Sequence, residues 1–204
     1  MTSLLPRSLS SLLMPNPFAG LALPALDTSD RSDYYLRPIQ ASDLPQWFAY
    51  LCLTGSLEHS SWQLQSAQDL QQFLHTPDWT QSSAQIKFAI ASKATDQLCG
   101  TIGFHTVSLA NKSAEIAYDI HPEHWGKGIA TVACRALSSW AHEVVGLHRV
   151  QASVLESNRA SLRVLEKTGF QREGLLRSYR MVRGEPRDYW MLGHLGANQK
   201  THSK

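Results

Sequence analysis

The hydrophobic and polar positions of this chain predict short elements arranged around a central meander. Residues 86–91, 98–107 and 114–120 carry apolar side chains at alternate positions or in short continuous runs, a pattern typical of strands with a buried face. Turn-forming residues at 94–97 and 110–112 separate these segments. We therefore predict three consecutive strands that pair as an antiparallel meander.

The segment before the meander combines one strand pattern with two helical patterns. A strand over 34–39 precedes an amphipathic helix that Ser42 and Asp43 would cap. A second helical pattern follows residues 66–69, whose sequence resembles a capping box.

Strand and helix patterns also alternate after the meander. In chain order they are a helix over 129–145, a strand over 148–155, a short helix that Ser157 or Asn158 would cap, and a final hairpin turning at 183–186. Gly146 and Gly169 follow the two helices directly, where they would end them. The whole order predicts an α/β (α+β) single domain with a mixed sheet.

Composition places the chain among soluble globular proteins. Hydrophobic residues make up 43% and charged residues 18% of 204 residues, enough for one domain with a sizeable core. The formal charge of +2 points neither to nucleic acid nor to an anionic membrane, and no run approaches the roughly 20 apolar residues of a membrane span. Cys52, Cys99 and Cys134 lack metal-ligand spacing, so we expect reduced thiols and a cytoplasmic location.

Residues 1–33 differ in composition from the rest of the chain. They are rich in Leu, Ser and Pro and contain no acidic residue before Asp27. Arg7 is followed by no long apolar stretch, because Pro24 interrupts the run from 18 to 26. We predict an irregular extension that packs on the domain or on a partner rather than a signal peptide.

A glycine-containing turn between a strand and a helix predicts an anion site. Pro122 ends the strand over 114–120, and Gly126 and Gly128 flank Lys127 immediately before the long helix. Unpaired backbone N–H groups and the positive end of the helix dipole favour an anion such as a phosphate there. The alternative is an ordinary tight turn, since neither a P-loop nor a dinucleotide-binding glycine pattern is present.

Four segments together make the sequence resemble the GNAT acetyltransferase superfamily, in particular its ribosomal-protein alanine N-acetyltransferase (RimJ/RimL-like) type. They are AEIAY at 114–118, WGKGIA at 125–130, NRAS at 158–161 with LEKTGF at 165–170, and the hairpin at 184–188. Their order and spacing cover about residues 34–195. The resemblance implies a GNAT domain over 34–195 and a flexible tail over 196–204. It also implies a twisted, mostly antiparallel sheet of six to seven strands with about four helices, splayed between the fourth and fifth strands.

The same resemblance implies acetyl-CoA as cosubstrate and assigns its contacts. The pyrophosphate would bind main-chain amides of the glycine turn, and the pantetheine arm would lie between the splayed strands. The implied cofactor-binding residues are Ile120, His121, Trp125, Gly126, Lys127, Gly128, Ile129, Ala130, Thr131, Asn158 and Ser161. For Lys127 a plain solvated side chain is the alternative, and for Asn158 a plain helix cap.

Two residues are the catalytic candidates for attack of an amine on the thioester. Glu115 would act as acid or base, through water, although an ion pair at the strand end would explain it equally well. Ser161 would assist the leaving thiolate, because Leu165 occupies the position where many family members carry a tyrosine. Arg180 stands where others use a glutamate. We expect no metal, since no histidine pair has a convincing ligand partner.

The predicted activity is acetyl transfer to a primary amine, with a peptide or protein N-terminal amine as the leading acceptor. A small amine, such as a polyamine, amino acid or antibiotic, is the alternative acceptor. An acyl-CoA sensor without turnover is the non-enzymatic alternative, and the missing tyrosine is its support. The residues expected to shape the acceptor pocket are Trp47, Tyr50, Glu58, His59 and Trp62. The resemblance also makes a homodimer plausible.

Overall fold

A computed structural model describes residues 22–26, 33–53, 58–59, 62, 64–74 and 85–196. The strands are β1 (Tyr34–Pro38), β2 (Ile86–Ser92), β3 (Leu98–Ser108), β4 (Ser113–Ile120), β5 (Arg149–Leu155), β6 (Gln171–Val182) and β7 (Glu185–Leu195). The α-helices are α1 (Leu44–Leu51), α2 (Ile129–Glu143) and α3 (Arg159–Lys167). Short 3₁₀ helices cover Ala41–Asp43, Ala67–Leu74 and Pro122–His124.

All seven strands form one sheet in the order β1-β2-β3-β4-β5-β7-β6. Every neighbouring pair is antiparallel except β4 and β5, which are parallel. The meander of β2, β3 and β4 is therefore confirmed, and so is the mixed, mostly antiparallel sheet. The three α-helices and the Ala67–Leu74 helix are the four helices expected beside it.

The parallel pair β4–β5 is short, and this opens the sheet. Its register runs only from the pair Ser113–Arg149 to the pair Glu115–Gln151, although both strands continue beyond those residues. After Glu115 the two strands separate, which confirms the splay between the fourth and fifth strands. Beyond this point, the backbone groups of β4 that point away from β3 face an opening rather than a neighbouring strand.

The sheet carries a hydrophobic cluster on each face, because neighbouring residues of a strand point to opposite sides. On β2, Phe88 and Ile90 belong to the larger cluster with α2 and α3, whereas Ala89 belongs to the cluster of α1 and the Ala67–Leu74 helix. Leu26 is buried in the larger cluster. The Trp140 Nε1–H donates to the Ala22 carbonyl at 2.8 Å, so residues 22–26 pack on the domain. The remainder of the predicted extension, and residues 197–204 of the predicted tail, lie outside the described residues.

Asp43 does not cap α1 in the way the sequence suggested. Its side chain makes no cap hydrogen bond to that helix. Instead, its carboxylate accepts a hydrogen bond from the Gln40 amide at 2.7 Å and forms an ion pair with Arg37 at 2.7 Å. Both members of the pair are buried, and a buried guanidinium requires a paired carboxylate. The Asp43 carboxylate thus takes part in a capping box with Gln40 on the Ala41–Asp43 helix and pairs with Arg37 at the same time, instead of capping α1.

Candidate active site

The opening between β4 and β5 exposes backbone groups of β4. The His121 amide donates to the Cys99 carbonyl of β3 at 2.9 Å. Because hydrogen-bonding directions alternate along an antiparallel strand, the N–H and C=O groups of Tyr118 and Ile120 point the other way, toward the opening. An extended ligand arm could pair with them as a neighbouring strand would.

The main-chain groups of Ile120 and His121 therefore face different neighbours. Both main-chain groups of His121 are engaged, the amide with Cys99 and the carbonyl with the His124 amide at 2.8 Å. They face β3 and the Pro122–His124 turn, so they are not directed at the opening. The Ile120 carbonyl does face it, and there it accepts a hydrogen bond from the Trp125 indole N–H at 2.7 Å.

The glycine turn has the open backbone expected of an anion site. Gly126 and Gly128 have φ angles of +75° and +78°, and a Cβ added at either one would meet no atom within 4 Å. The first helical hydrogen bond joins the Val132 amide to the Gly128 carbonyl at 3.1 Å. The amides of Ile129, Ala130 and Thr131 therefore precede the hydrogen-bond ladder of α2 and lie at the positive end of its dipole.

Lys127 adds positive charge at the surface of this turn. Lys127 is exposed, and its Nζ lies 3.4 Å from His124 Nδ1. Partial burial lowers the pKa of His124, and the charge of Lys127 lowers it further. Trp125 is 54% exposed, so the turn from Trp125 to Gly128 stands open to solvent.

Asn158 and Ser161 lie together at the start of α3 and both line the cavity below the opening. Asn158 Oδ1 accepts a hydrogen bond from the Ser161 amide at 3.0 Å, which is a helix cap. The cap uses only the side-chain oxygen, and the Nδ2 amide donor takes no part in it.

A hydroxyl pair joins β4 to α3 at this point. The Tyr118 hydroxyl lies 2.9 Å from Ser161 Oγ and 3.3 Å from the Ser161 carbonyl. Burial raises the pKa of Tyr118, so its phenol stays protonated at neutral pH. The sequence left the thiolate to Ser161 alone, whereas the structure places a tyrosine from another element beside it.

Glu115 is the last residue of β4 that pairs with β5, and its carboxylate is engaged. Its Oε1 accepts hydrogen bonds from Ser153 Oγ at 2.5 Å and from Arg180 at 3.1 Å. Three residues of β6 face one residue of β7 between the pairs Leu176–Tyr189 and Arg180–Arg187. This bulge lets Arg180 of the edge strand reach β4. Glu115 therefore does form the ion pair that was the alternative to its catalytic role.

A cavity of about 210 Å³ connects these groups through the opening. Its lining includes Tyr118, Asn158 and Ser161 on the side of α3 and Glu115 and Arg180 on the opposite face of the sheet. His59 and Trp62 also line it, whereas Glu58 is exposed and is not part of the lining. The predicted Trp47 and Tyr50 lie fully buried beside it, with 0% and 1% exposure.

A charged cluster in this cavity was missed by sequence reasoning. Asp119 accepts hydrogen bonds from Thr101 Oγ1 at 2.6 Å, from the Trp47 indole at 3.2 Å and from the Tyr50 hydroxyl. Lys87 Nζ lies 3.7 Å from Asp119 Oδ2. The alternation of side chains along β4 puts Asp119 on the same face as Glu115, so the sequence could have placed Asp119 in the site. No local pattern could have placed Lys87 there.

His105 is the second group that the structure brings to the cavity. It lies between the register pairs Phe104–Ile116 and Thr106–Glu115 and has no register partner on β4, which makes it the extra residue of a β-bulge. Its side chain lines the cavity, and its Nδ1 lies 3.1 Å from Thr106 Oγ1. Burial lowers the pKa of His105, Glu115 raises it, and Arg180 and Lys87 lower it.

The described part of the chain contains neither a metal-ligand cluster nor a membrane-spanning helix. No group of three or more His, Cys, Asp or Glu residues there could hold a metal ion. None of the helices described has the length and apolarity needed to cross a membrane.

Sequence comparison identifies the domain. Residues 34–171, more than half of the chain, match the acetyltransferase (GNAT) domain family. A Bacillus subtilis protein named "Uncharacterized N-acetyltransferase YoaA" is 42% identical over 108 residues, which are 53% of this chain and 61% of the relative. An Escherichia coli ribosomal-protein-serine acetyltransferase is 28% identical over 123 residues, covering 53% of this chain and 69% of the relative. The chain thus spans about three fifths of the length of the first of these curated relatives.

Solved structures share the fold at low sequence identity. A ribosomal-protein-S5-alanine acetyltransferase from Vibrio fischeri superposes with a TM-score of 0.70 at 20% identity, covering 82% of this chain and 95% of that one. A spermidine N-acetyltransferase from Vibrio cholerae, in complex with CoA and spermine, gives a TM-score of 0.70 at 21% identity, covering 80% and 95%. These structures show that the fold is shared, and the family match over residues 34–171 shows the family: the chain belongs to the GNAT acetyltransferase family.

Proposed function

We propose that this chain transfers the acetyl group of acetyl-CoA to the N-terminal amine of a peptide or protein. The observation that carries the proposal is the cavity at the opening between β4 and β5, where Ser161 approaches from one face of the sheet and Glu115 from the other. A thioester threaded through the opening would meet an amine arriving from the Glu115 face.

The residues that would hold acetyl-CoA are supported by the geometry of the turn and the opening. Backbone amides from Gly126 to Thr131 would bind the pyrophosphate, because they lie at the start of a 15-residue helix. The two glycines have no Cβ that would block the approach of a phosphate, and the space beside them is open. The Ile120 and Tyr118 peptide groups and the Asn158 Nδ2 donor would pair with the pantetheine arm. The cosubstrate supplies the activated acetyl thioester, and the chain supplies alignment.

The reaction forms one C–N bond and breaks one C–S bond. The attacking amine loses a proton, and the leaving thiolate gains one or is stabilised by a hydrogen bond. Tyr118 and Ser161 are placed to serve the thiolate, since their hydroxyls lie 2.9 Å apart on the cavity wall and the phenol remains protonated.

His105 is the proton acceptor that the geometry favours. Glu115 Oε1 already accepts two hydrogen bonds, one of them from a guanidinium. His105 shares the cavity and is held neutral by its lowered pKa, so its imidazole can take a proton from the acceptor ammonium near neutral pH. Glu115 then orients Arg180 and sets the local charge.

The charge balance of the cavity favours a peptide amine over a polyamine. Its two acids, Glu115 and Asp119, are each paired with a cation, Arg180 and Lys87. A polyamine would bring several positive charges to a cavity without unpaired acids among its described residues. A polyamine is the small amine to test first as the alternative acceptor, because one structural neighbour is a spermidine N-acetyltransferase.

Initial rates of CoA release test the proposal. An N-terminal peptide library, including ribosomal-protein N-termini, is compared with a panel of polyamines, amino acids and aminoglycosides at equal concentration. We expect turnover with a subset of peptides. Preferred turnover of a small amine would replace the acceptor class, and background release with every amine, with CoA binding intact, would favour a sensor.

A further inference from the structure

The Lys87 side chain occupies a place that resembles a binding site for a ligand ammonium. Its Nζ lies 5.3 Å from the ring centroid of Trp62, 5.7 Å from that of Phe73 and 5.8 Å from that of Trp47. Aromatic faces at such distances attract cations, and Asp119 adds a carboxylate 3.7 Å away. Three rings and one acid are thus arranged around a cation that belongs to the chain itself.

The cage borders the cavity where the acceptor amine would arrive. Lys87, Trp62 and Asp119 all line that cavity, together with Glu115 and His105. A ligand bound in the cage would therefore extend from the reacting amine to a second positive group. A polyamine carries such a second positive group at a distance from its reacting amine, whereas the N-terminus of a peptide does not require one.

The cage has no remaining capacity for a second cation. Asp119 already accepts hydrogen bonds from Tyr50, Trp47 and Thr101 in addition to its ion pair with Lys87. The Lys87 side chain is only 6% exposed. Burial lowers the pKa of Lys87, while the neighbouring Asp119 acts in the opposite direction. The Lys87 amine fills the space between the rings.

We propose that Lys87 is a specificity-determining residue that fills the cation cage of the acceptor cavity from within, and so excludes polyamines and other acceptors that carry a second ammonium. The inference rests on the proposed acetyltransferase function, and it names the acceptors that this site rejects. Removal of the lysine side chain should leave an aromatic cage with an acid, ready for an ammonium from the ligand.

The direct test opens the cage in the full-length chain. Lys87→Ala removes the amine and its stem, and spermidine and a substrate peptide are compared by kcat/KM for CoA release. We expect the spermidine-to-peptide ratio to rise by about tenfold or more, a change equivalent to one well-placed cation contact. Spermidine should also alter the tryptophan fluorescence of the variant, since Trp47 and Trp62 form two walls of the cage, and should leave the wild type unchanged.

Three further variants separate the cage from general effects. Lys87→Met removes the charge but keeps most of the volume, so the ratio should stay near the wild-type value. The double variant Lys87→Ala with Asp119→Asn keeps the space but removes the acid, so the gain should be lost. Lys93→Ala removes an exposed lysine of the β2–β3 turn and should match the wild type. If Lys87→Ala does not fold, Lys87→Val opens the same space with a residue favoured in strands.

The outcomes distinguish the two proposals. A folded, CoA-binding opened variant with an unchanged ratio and no fluorescence response to spermidine overturns the role of Lys87, and so does a wild type that prefers spermidine. If no amine supports CoA release in any variant, the acetyltransferase proposal fails. The fluorescence comparison still decides whether Lys87 excludes a polycation in that case.

Discussion

The two sides of the opened sheet offer different kinds of groups to a ligand. On the α2 side, the turn from Trp125 to Gly128 is exposed and presents main-chain amides. On the α1 side, the cavity wall consists of side chains that are paired with one another, Lys87 with Asp119 and Arg180 with Glu115. Binding on the first side would depend on the shape of the backbone. Binding on the second side would depend on which side-chain charges are already paired.

This difference separates the binding of the cosubstrate from the choice of the acceptor amine. A cosubstrate phosphate needs only amides and a helix start, which a short glycine-containing stretch provides. An acceptor is chosen by the number, sign and pairing of side-chain charges, and these come from β2, β4 and β6 together. Variants on the first side should therefore affect CoA, and variants on the second side should affect the amine.

The largest effect is expected from Gly128→Glu. The position has a φ of +78°, which disfavours any side chain, and a carboxylate there would repel the pyrophosphate. We expect CoA binding to fall below detection by isothermal titration calorimetry. Gly128→Ala is the matched control for backbone strain and should retain part of the affinity. Normal affinity in Gly128→Glu would contradict the assignment of the turn.

A large effect on rate is expected from His105→Gln. Loss of a positioned base should lower kcat/KM by about 10²-fold or more for a basic α-amine, with little change in the KM for acetyl-CoA. Because burial lowers the pKa of His105, its imidazole should stay neutral to lower pH than an ordinary histidine, and wild-type activity should fall as the pH drops through that lowered pKa. The variant should lose this limb of the pH profile.

A change of acceptor sharpens the His105 prediction. An acyl hydrazide, whose amine is already neutral at pH 7, should lose little rate in His105→Gln, since it needs no base before attack. An equal loss with both acceptors would assign His105 a structural role. Glu115→Gln serves as the comparison, and a larger base-dependent loss there would return the role to Glu115.

A smaller effect on rate is expected from the hydroxyl pair. Tyr118→Phe and Ser161→Ala should each lower kcat by about tenfold to 10²-fold, because the thiolate loses a hydrogen bond but the amine and cosubstrate stay aligned. The loss should shrink when acetyl-CoA is replaced by a thioester with a more acidic thiol. Additive losses in the double variant would show that the two hydroxyls act separately.

The smallest effect is expected from Asn158, and here the cap can be separated from the ligand contact. Asn158→Ala removes both. It should weaken CoA binding by about 1–3 kcal/mol, the cost of leaving a polar group unsatisfied, and should also lower the free energy of unfolding. Asn158→Asp keeps the capping oxygen that bonds the Ser161 amide but removes the Nδ2 donor. Thermal denaturation measures the cap, and isothermal titration calorimetry measures the ligand contact. If Asn158→Asp binds CoA as tightly as the wild type does, Asn158 is a helix cap and makes no contact with the ligand.

The sequence alone determined the order of elements, the antiparallel meander and the glycine turn. These features follow from contiguous residues, since the alternation of 86–120 and the residues at 126–129 act through local backbone geometry. The splay came from a resemblance carried by the same local segments, and the GNAT match and the short β4–β5 pairing confirm it. The cofactor contacts that the resemblance assigns to these segments stay a prediction.

Only the tertiary structure decided the acceptor side. Lys87 gave no local signal, because its partner Asp119 and its aromatic cage come from distant parts of the chain. His105 depended on a β-bulge, and the link from Arg180 to Glu115 depended on another. Charge pairing and bulges are set by which strands become neighbours, and hydrophobic periodicity carries no record of that choice.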